Sequence, residues 1–299
     1  MLLKKSIALM AMPPCFDPMD SDCLTTADSV AADYYDSADA DRFYEKVWGG
    51  EDIHIGLYDS SAESIAVASD RTVHALMAMA TDLPQGGVVV DLGSGYGGAA
   101  RRLASWSDRS VHAINISAVE NQRHRRLNAA AGVSARITVH DASFEQVPLP
   151  DQSADLVWSQ DAILHAGNRA QVLAEVARLL RPGGCFVLTD PMAMDGVEMS
   201  RLKPILDRIH LPDLASPDRY RAWAERVGLA REVWDDRSGM LVRHYTRVQE
   251  VTRQRRAELE QSISPAYLDR MDLGLQHWID GGLEGRLSWG LMRFRRPVD

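Results

Sequence analysis

The chain has no apolar run near the ~18 residues that a membrane-spanning helix requires. It has no internal repeat that would make it a solenoid. Cysteine is scarce: Cys15, Cys23 and Cys185 are the three in 299 residues, odd in number and without a CxxC pair. That argues against a disulfide framework and against a zinc site, and no metal is expected. A reducing cytoplasm is the expected setting. Positive charge is also short. A net charge of −9 leaves no broad basic face for nucleic acid, although a local basic pocket for a small zwitterion is compatible with it. What remains is an ordinary soluble composition, 45% hydrophobic and 25% charged. The length suits one large α/β domain, or one domain with an insertion.

The N-terminus stands apart. Met1 to Met12 reads MLLKKSIALMAM, with two lysines before a short apolar stretch, and Pro13-Pro14 follow at once. The apolar stretch is too short for a signal peptide. We expect residues 1–28 to be an unfolded leader, with Met19 an alternative start, and residues 29–299 to form a single domain.

Within that domain helices and strands alternate. Ser69 to Leu83 has a helical stripe of Val73, Leu76, Met77 and Met79. Val88-Val89-Val90 is a fully apolar strand, as expected of a parallel strand covered on both faces. Val111–Ile114, Ala135–Val139, Ala154–Trp158 and Cys185–Thr189 repeat the pattern, with helices predicted over Ser117–Ala131 and after Asn168, a natural cap. Repeated βα units argue for an open parallel sheet with helices on both faces. After Asp190 the pattern changes. A helix over Met199–His210, bounded by Pro212 and Pro217, reads as a cap insertion over about 191–217. A helix over Tyr220–Val227, a strand over Ala230–Trp234, a charged helix over Arg243–Ser262 and a last strand over Leu287–Phe294 complete the prediction.

The strongest motif is Val90-Asp91-Leu92-Gly93-Ser94-Gly95-Tyr96-Gly97-Gly98, between a strand and a helix. Glycines there let the backbone turn tightly and approach a ligand. Gly93, Gly95 and Gly98 fit the dinucleotide fingerprint GxGxxG. Asp91 with Gly93, Gly95 and Gly97 fits the methyltransferase pattern DxGxG. Later segments favour the second. The next strand ends in Asn115-Ile116 rather than in the ribose-gripping acid of the dinucleotide fold, and Glu120 stands in the helix that follows. His140-Asp141-Ala142-Ser143-Phe144 has the form of an adenine-reading segment, with Asp141 accepting from the adenine amine and the next amide touching the ring. Ser159-Gln160-Asp161 leave the fourth strand at the edge where ligands bind in such sheets. His165 lies four residues beyond Asp161, so one helical turn would put the two on one face.

At this point a family resemblance becomes specific. Asp91 to Gly98, Asp141 to Phe144 and Ser159 to His165 resemble class I methyltransferases of small amines. The stretches Phe43 to Tyr58, Pro204 to Leu211, Gly274 to Gly282 and Ser288-Trp289-Gly290 resemble the sarcosine/dimethylglycine N-methyltransferases of glycine betaine synthesis. The likeness runs from about Ala31 to Arg296. It implies a Rossmann-like class I fold: a seven-stranded, mostly parallel sheet with an antiparallel last strand, a helical cap and an N-terminal lid over 29–65. It also implies S-adenosylmethionine as cofactor, a small amine bearing a carboxylate as partner, and no nucleic acid or membrane partner.

A wider likeness to phosphoethanolamine methyltransferases implies a Tyr35–His165 pair over the reacting amine, with Asp161 beside it. It places Tyr44, Ile53 and His54 at the methionine end of the cofactor, with Asp91, Gly93, Ser94, Gly95, Gly97, Asn115, Ile116, Glu120, Asp141, Ala142, Ser159 and Gln160 as further cofactor residues. Those phosphobase enzymes resemble Ser-Arg-Asp where this chain has Ser159-Gln160-Asp161, and the lost cation argues against a phosphate-bearing acceptor.

An amine attacks a methyl only when unprotonated, so His165, aided by Tyr35, is the expected proton acceptor. Asp161 would orient the imidazole or hold the cationic amine. Arg208 and Arg243 are the candidates for the acceptor's carboxylate, and Trp48, Tyr220, Tyr245 and Trp278 for aromatic faces around a methylammonium. The alternatives are a methyltransferase of another amine or a thioether, a non-catalytic S-adenosylmethionine-binding protein, and a nicotinamide-dependent oxidoreductase.

Overall fold

The computed structural model describes residues 37–48, 51–106 and 108–298. Helix α1 (Ala38–Val47) is capped by the Ser37 side chain, which accepts from Ala40 N. Helix α2 (Ile65–Ala78) follows. Then β1 (Val88–Leu92), α3 (Gly98–Ser105), β2 (Ser110–Asn115), α4 (Ala118–Ala130), β3 (Ile137–Asp141), β4 (Ala154–Gln160), α5 (Arg169–Leu179) and β5 (Leu180–Thr189) alternate. A 3-10 turn, Ile163–His165, lies between β4 and α5. Beyond β5 come β6 (Met192–Ala193), α6 (Lys203–Arg208), α7 (Pro217–Arg226), β7 (Ala230–Asp236), α8 (Ser238–Gln254), α9 (Arg256–Leu259), α10 (Pro265–Leu283), β8 (Leu287–Ser288) and β9 (Gly290–Arg295).

The main sheet has 7 strands in the order β3-β2-β1-β4-β5-β9-β7. Neighbours from β3 to β5 are parallel, and β9 runs antiparallel to β5 and β7. The order reverses between β1 and β4, so a crevice opens beyond their C-terminal ends. Alternate strand residues divide between two cores, as the two-residue period of a strand demands. Val89, Leu156, Trp158, Cys185 and Val187 join one core with Val73 and Leu76 of α2. Val90, Val157, Phe186 and Leu188 join the other with Val172, Leu173, Val176 and Leu179 of α5. Each of these four α5 side chains is fully buried, which stabilises the fold by roughly 1.5–3 kcal/mol apiece.

Several element boundaries differ from the sequence prediction for identifiable reasons. The helix expected over Met199–His210 is a 3-10 turn, Met199–Leu202, followed by the short α6. Pro217 does not bound the cap but opens α7, where a missing N–H costs nothing, and Ser216 caps it by accepting from Arg219 N. The charged helix starts at Ser238 rather than Arg243, because Asp236 Oδ1 accepts from Ser238 N at 2.9 Å. It stops at Gln254, and α9 is separate. The last strand is two: Leu287–Ser288 pairs with Met192–Ala193, Gly290–Arg295 pairs within the main sheet, and Trp289 lies between them.

The glycine-rich turn joins β1 to α3. Gly97 has φ +78, and a Cβ there would lie 2.0 Å from His124 Nε2 of α4. Any side chain meets both a strained backbone and a buried ring. Gly97→Ala is therefore expected to lower unfolding free energy by about 2–4 kcal/mol, from left-handed strain plus overpacking. Urea denaturation checks this, and a loss below about 1 kcal/mol would contradict it.

Candidate active site

A strap formed by residues 51–58 crosses the glycine turn. Gly98 N donates to Glu51 O at 3.2 Å, which pins the strap to the start of α3. Asp52 pairs with Arg102 at 3.0 Å. Trp48 Nε1 and Ser69 Oγ both donate to His54 O, at 3.4 and 3.2 Å. Gly56 N donates to His244 Nδ1 at 3.2 Å. The tip of β4 completes the arrangement. Asp161 sits at φ +50. Its Oδ2 accepts from Ile55 N at 2.6 Å and its Oδ1 from Trp289 Nε1 at 2.8 Å.

Three cavities meet around this tie. The first, about 680 Å³ and partly open to solvent, is lined by Gly93, Gly95, Asn115, Ile116, Ser117 and Glu120 on one side and by Ala142, Ser143 and Phe144 on the other. The second, about 340 Å³, lies against the strap and is lined by His54, Asp91, Ser94 and Gln160. The third is a chamber of about 580 Å³ roofed by helices α8 and α10. Tyr44, Trp48, Tyr245 and Trp278 form its aromatic walls, Met271 and Leu275 of α10 add apolar surface, and Arg208 supplies a guanidinium. Ile53 borders all three. Asp161 and His165 border the first cavity and the chamber.

The polar groups of the first two cavities fit S-adenosylmethionine. Asp91 Oδ2, Ser94 Oγ and Gln160 Nε2 are buried and have no partner among the described residues. An acceptor and two donors of this kind suit the ammonium and carboxylate of an amino acid. Asn115 Nδ2 donates to Glu120 Oε2 at 2.9 Å, so the acid absent from the end of β2 stands at the start of α4 and lines the same cavity. Ile116 and Phe144 supply apolar walls for a base.

Burial sets the electrostatics. It pushes Asp91 up to about 7, with the charge of His54 pulling back and that of Asp52 adding to the rise. Burial also raises Asp161 against the charge of His54 and the donors Ile55 N and Trp289. In His54 burial opposes protonation, yet the hydrogen-bonding and charge of Asp52 and the charge of Asp161 leave it raised. Burial, with the charge of Arg169, lowers His165 to about 4, so its imidazole is neutral at physiological pH.

Several expected residues fall elsewhere. Tyr35 lies outside the described residues. Tyr44 lines the chamber rather than the cofactor cavities. Gly97 packs on His124 and lines none of the three. Ser159 Oγ donates to Leu92 O at 2.8 Å and stitches β4 to β1. Asp141 remains in the β3 ladder opposite Asn115. Its carboxylate takes Asn121 Nδ2 at 2.8 Å and an Arg125 guanidinium, and Ala142 N donates to Asn115 O at 3.2 Å. The cavity is thus lined by the next three residues. Tyr220 is fully buried in the opposite core, donating to Asp190 Oδ2 at 2.7 Å. Arg243 is exposed and donates to Tyr58 O at 3.4 Å, away from the chamber. His165 does not share a regular helical turn with Asp161, whose carboxylate is committed to Ile55 and Trp289. Trp289 enters the sequence reading only within the Ser288-Trp289-Gly290 stretch and with no site role, and its bond to Asp161 is what the structure adds. The cap is also larger than 191–217, since α8 and α10 supply most of the roof.

A family model described as a methyltransferase domain matches residues 90–188. With this strand order and cofactor crevice, the chain is a class I S-adenosylmethionine-dependent methyltransferase. It is 76% identical over 271 residues to dimethylglycine N-methyltransferase of Parasynechococcus marenigrum (strain WH8102), covering 91% of this chain and 97% of that protein. It is 45% identical over 277 residues to sarcosine/dimethylglycine N-methyltransferase of Aphanothece halophytica, covering 92% and 100%. A crystal structure assigned as a sarcosine dimethylglycine methyltransferase from Galdieria sulphuraria matches with TM-score 0.82 and 43% identity, covering 86% and 98%. The chain belongs to the sarcosine/dimethylglycine N-methyltransferase family and is an N-methyltransferase.

The raised Asp91 carboxyl has a consequence for cofactor binding. An ammonium is held by the ionised carboxylate, so protonation of Asp91 opposes binding. The Kd for S-adenosylhomocysteine is expected to rise about tenfold from about pH 8 to about pH 6, with proton release on binding at the lower pH. Asp91→Asn should bind weakly and with a flat profile. Calorimetry in buffers of different ionisation enthalpy checks this, and a flat wild-type profile would contradict it.

Proposed function

We propose that the chain methylates the nitrogen of sarcosine and N,N-dimethylglycine, ending at glycine betaine. The observation that carries this reading is the chamber. It joins a guanidinium, two aromatic pairs and the Asp161–His165 wall in a single space beside the cofactor cavity.

Arg208 is the residue for the acceptor's carboxylate, since a guanidinium grips a carboxylate through two N–H groups. Its Nη2 lies 2.8 Å from Met271 Sδ. A Cβ on Gly274 would come 1.9 Å from Arg208 Nε. Glycine inside a helix costs about 1 kcal/mol relative to alanine, and here it makes room for the guanidinium. Gln160 gives the chamber no second guanidinium, because a carboxamide is uncharged; its Oε1 accepts from Trp158 Nε1 at 3.0 Å, and the residue lines the cofactor cavities.

The aromatic walls suit a nitrogen that gains charge as it gains methyls. Tyr245 and Trp278 stand 5.2 Å apart at 30°, and Tyr44 and Trp48 stand 5.2 Å apart at 57°. Ring faces attract methylated cations without requiring an N–H donor. S-adenosylmethionine supplies the electrophilic methyl group. The chain's own residues hold the acceptor in a water-poor space and take up its proton. His165 is neutral and can accept that proton from the acceptor's ammonium. Its lowered basicity makes it a relay rather than a store, passing the proton outward. Asp161 presents a negative face to the amine before transfer.

Mass-resolved product analysis with dimethylglycine, sarcosine and glycine supplied separately tests the assignment. Betaine should form from the first two, and turnover of phosphoethanolamine alone would overturn it. Arg208→Gln and Gly274→Ala should each raise the KM for dimethylglycine about 10- to 100-fold, the loss expected of a charged hydrogen-bonded pair, with cofactor Kd unchanged. Arg243→Gln should leave KM within about threefold, as an exposed charge remote from the chamber. His165→Ala should keep cofactor affinity and lose turnover mainly at lower pH, where more of the acceptor carries the proton. An unchanged pH–rate profile would remove it from the mechanism.

A further inference from the structure

The turn that carries His165 is one 3-10 turn long, yet the two peptide units that flank Leu164 are each held by a side chain. Leu164 N donates to Asp190 Oδ1 at 3.1 Å. Leu164 O accepts from Arg169 Nη2 at 2.6 Å. Asp190 directly follows the last residue of β5 and is fully buried. Its second oxygen accepts from the fully buried Tyr220 hydroxyl at 2.7 Å, which ties it to α7. Arg169, the first residue of α5, is fixed in turn by Asp213, through Oδ1 at 2.6 Å and the carbonyl at 2.9 Å. Asp190, Tyr220 and Arg169 line none of the three cavities. A carboxylate buried this deeply is costly unless its hydrogen bonds are needed, and a simple core contact would not need one.

We propose that Asp190, oriented by Tyr220, is a positioning residue for His165: Asp190 holds the Ile163–Leu164 peptide, Arg169 holds the Leu164–His165 peptide, and together they aim the imidazole at the wall shared by the cofactor cavity and the chamber. The inference rests on the proposed role of His165 as proton acceptor. It extends that role to a network that lines none of the three cavities and is anchored by Tyr220 in the second core. An error of about 1 Å in the placement of a catalytic group costs on the order of 100-fold in rate, so the clamp has something to protect.

The test is a double-mutant cycle with turnover, cofactor Kd and thermal melting measured for every variant. Asp190→Ala should lower kcat about 10- to 100-fold through misplacement of the imidazole, with cofactor Kd and acceptor KM within about threefold. Asp190→Asn can still accept from Leu164 N through its amide oxygen, and should recover kcat to within about threefold of wild type. Tyr220→Phe, which leaves the Leu164 contact in place, should lose about 3- to 10-fold, the value of one hydrogen bond, and keeps the test open if Asp190→Ala does not fold. In a His165→Ala background neither Asp190→Ala nor Tyr220→Phe should lower kcat further. Additive losses there, or an Asp190→Asn enzyme as impaired as Asp190→Ala, would overturn the clamp alone. A His165→Ala enzyme with wild-type turnover would overturn the role of His165 and the clamp with it.

Discussion

The carboxylate of Asp161 is the contact on which the rest of the site depends. It holds the Ile55 amide of the strap and the Trp289 indole at the junction of β8 and β9. Three stretches distant in sequence therefore meet at the tip of β4. The backbone there is left-handed, a conformation that costs an ordinary residue about 1–2 kcal/mol and that Asp tolerates better than most. The strain is offset by two hydrogen bonds to a charged acceptor, which are stronger than neutral ones. Because the same side chain borders both the first cavity and the chamber, the tie that closes the strap also shapes the wall between cofactor and acceptor.

Around that wall the chain buries carboxylates and imidazoles, and His54, paired with Asp52, is raised toward its charged form. Asp91 and Asp190 are pushed up to about 7 by burial, and Asp161 is raised as well. His165 and His244 are pushed down by the same cause. Buried carboxylates of this kind favour incoming cations, which restore their charge, and the lowered His165 adds no repulsion. That fits a sulfonium and a methylammonium meeting in one place. Arg208, the cation proposed for the acceptor's carboxylate, stands apart on α6 against Gly274 of α10.

Much of the sheet was legible because parallel strands are apolar on both faces, and Val88–Val90 and Cys185–Thr189 show that directly. The glycine turn, Asn115 and the Gln160–Asp161 tip were legible because topology places such segments at strand ends. Asp141 misled because its side chain finds Arg125 and Asn121 on α4, a competition that spacing does not reveal. Tyr220 misled because an aromatic near a cap can face either core, and only the register of α7 decides. Arg208 and Arg243 could not be separated by composition. The difference lies in Gly274, whose missing Cβ is a three-dimensional fact. Trp289 was hidden inside a run that reads as one strand.

The central claim is that donor and acceptor meet at the wall made by Asp161 and His165. A crystal structure of the chain with S-adenosylhomocysteine and dimethylglycine tests it most directly. The account predicts the acceptor's nitrogen against that wall, within the aromatic chamber, and its carboxylate on Arg208. A dimethylglycine bound at Arg243, or outside the space between α8 and α10, would contradict it.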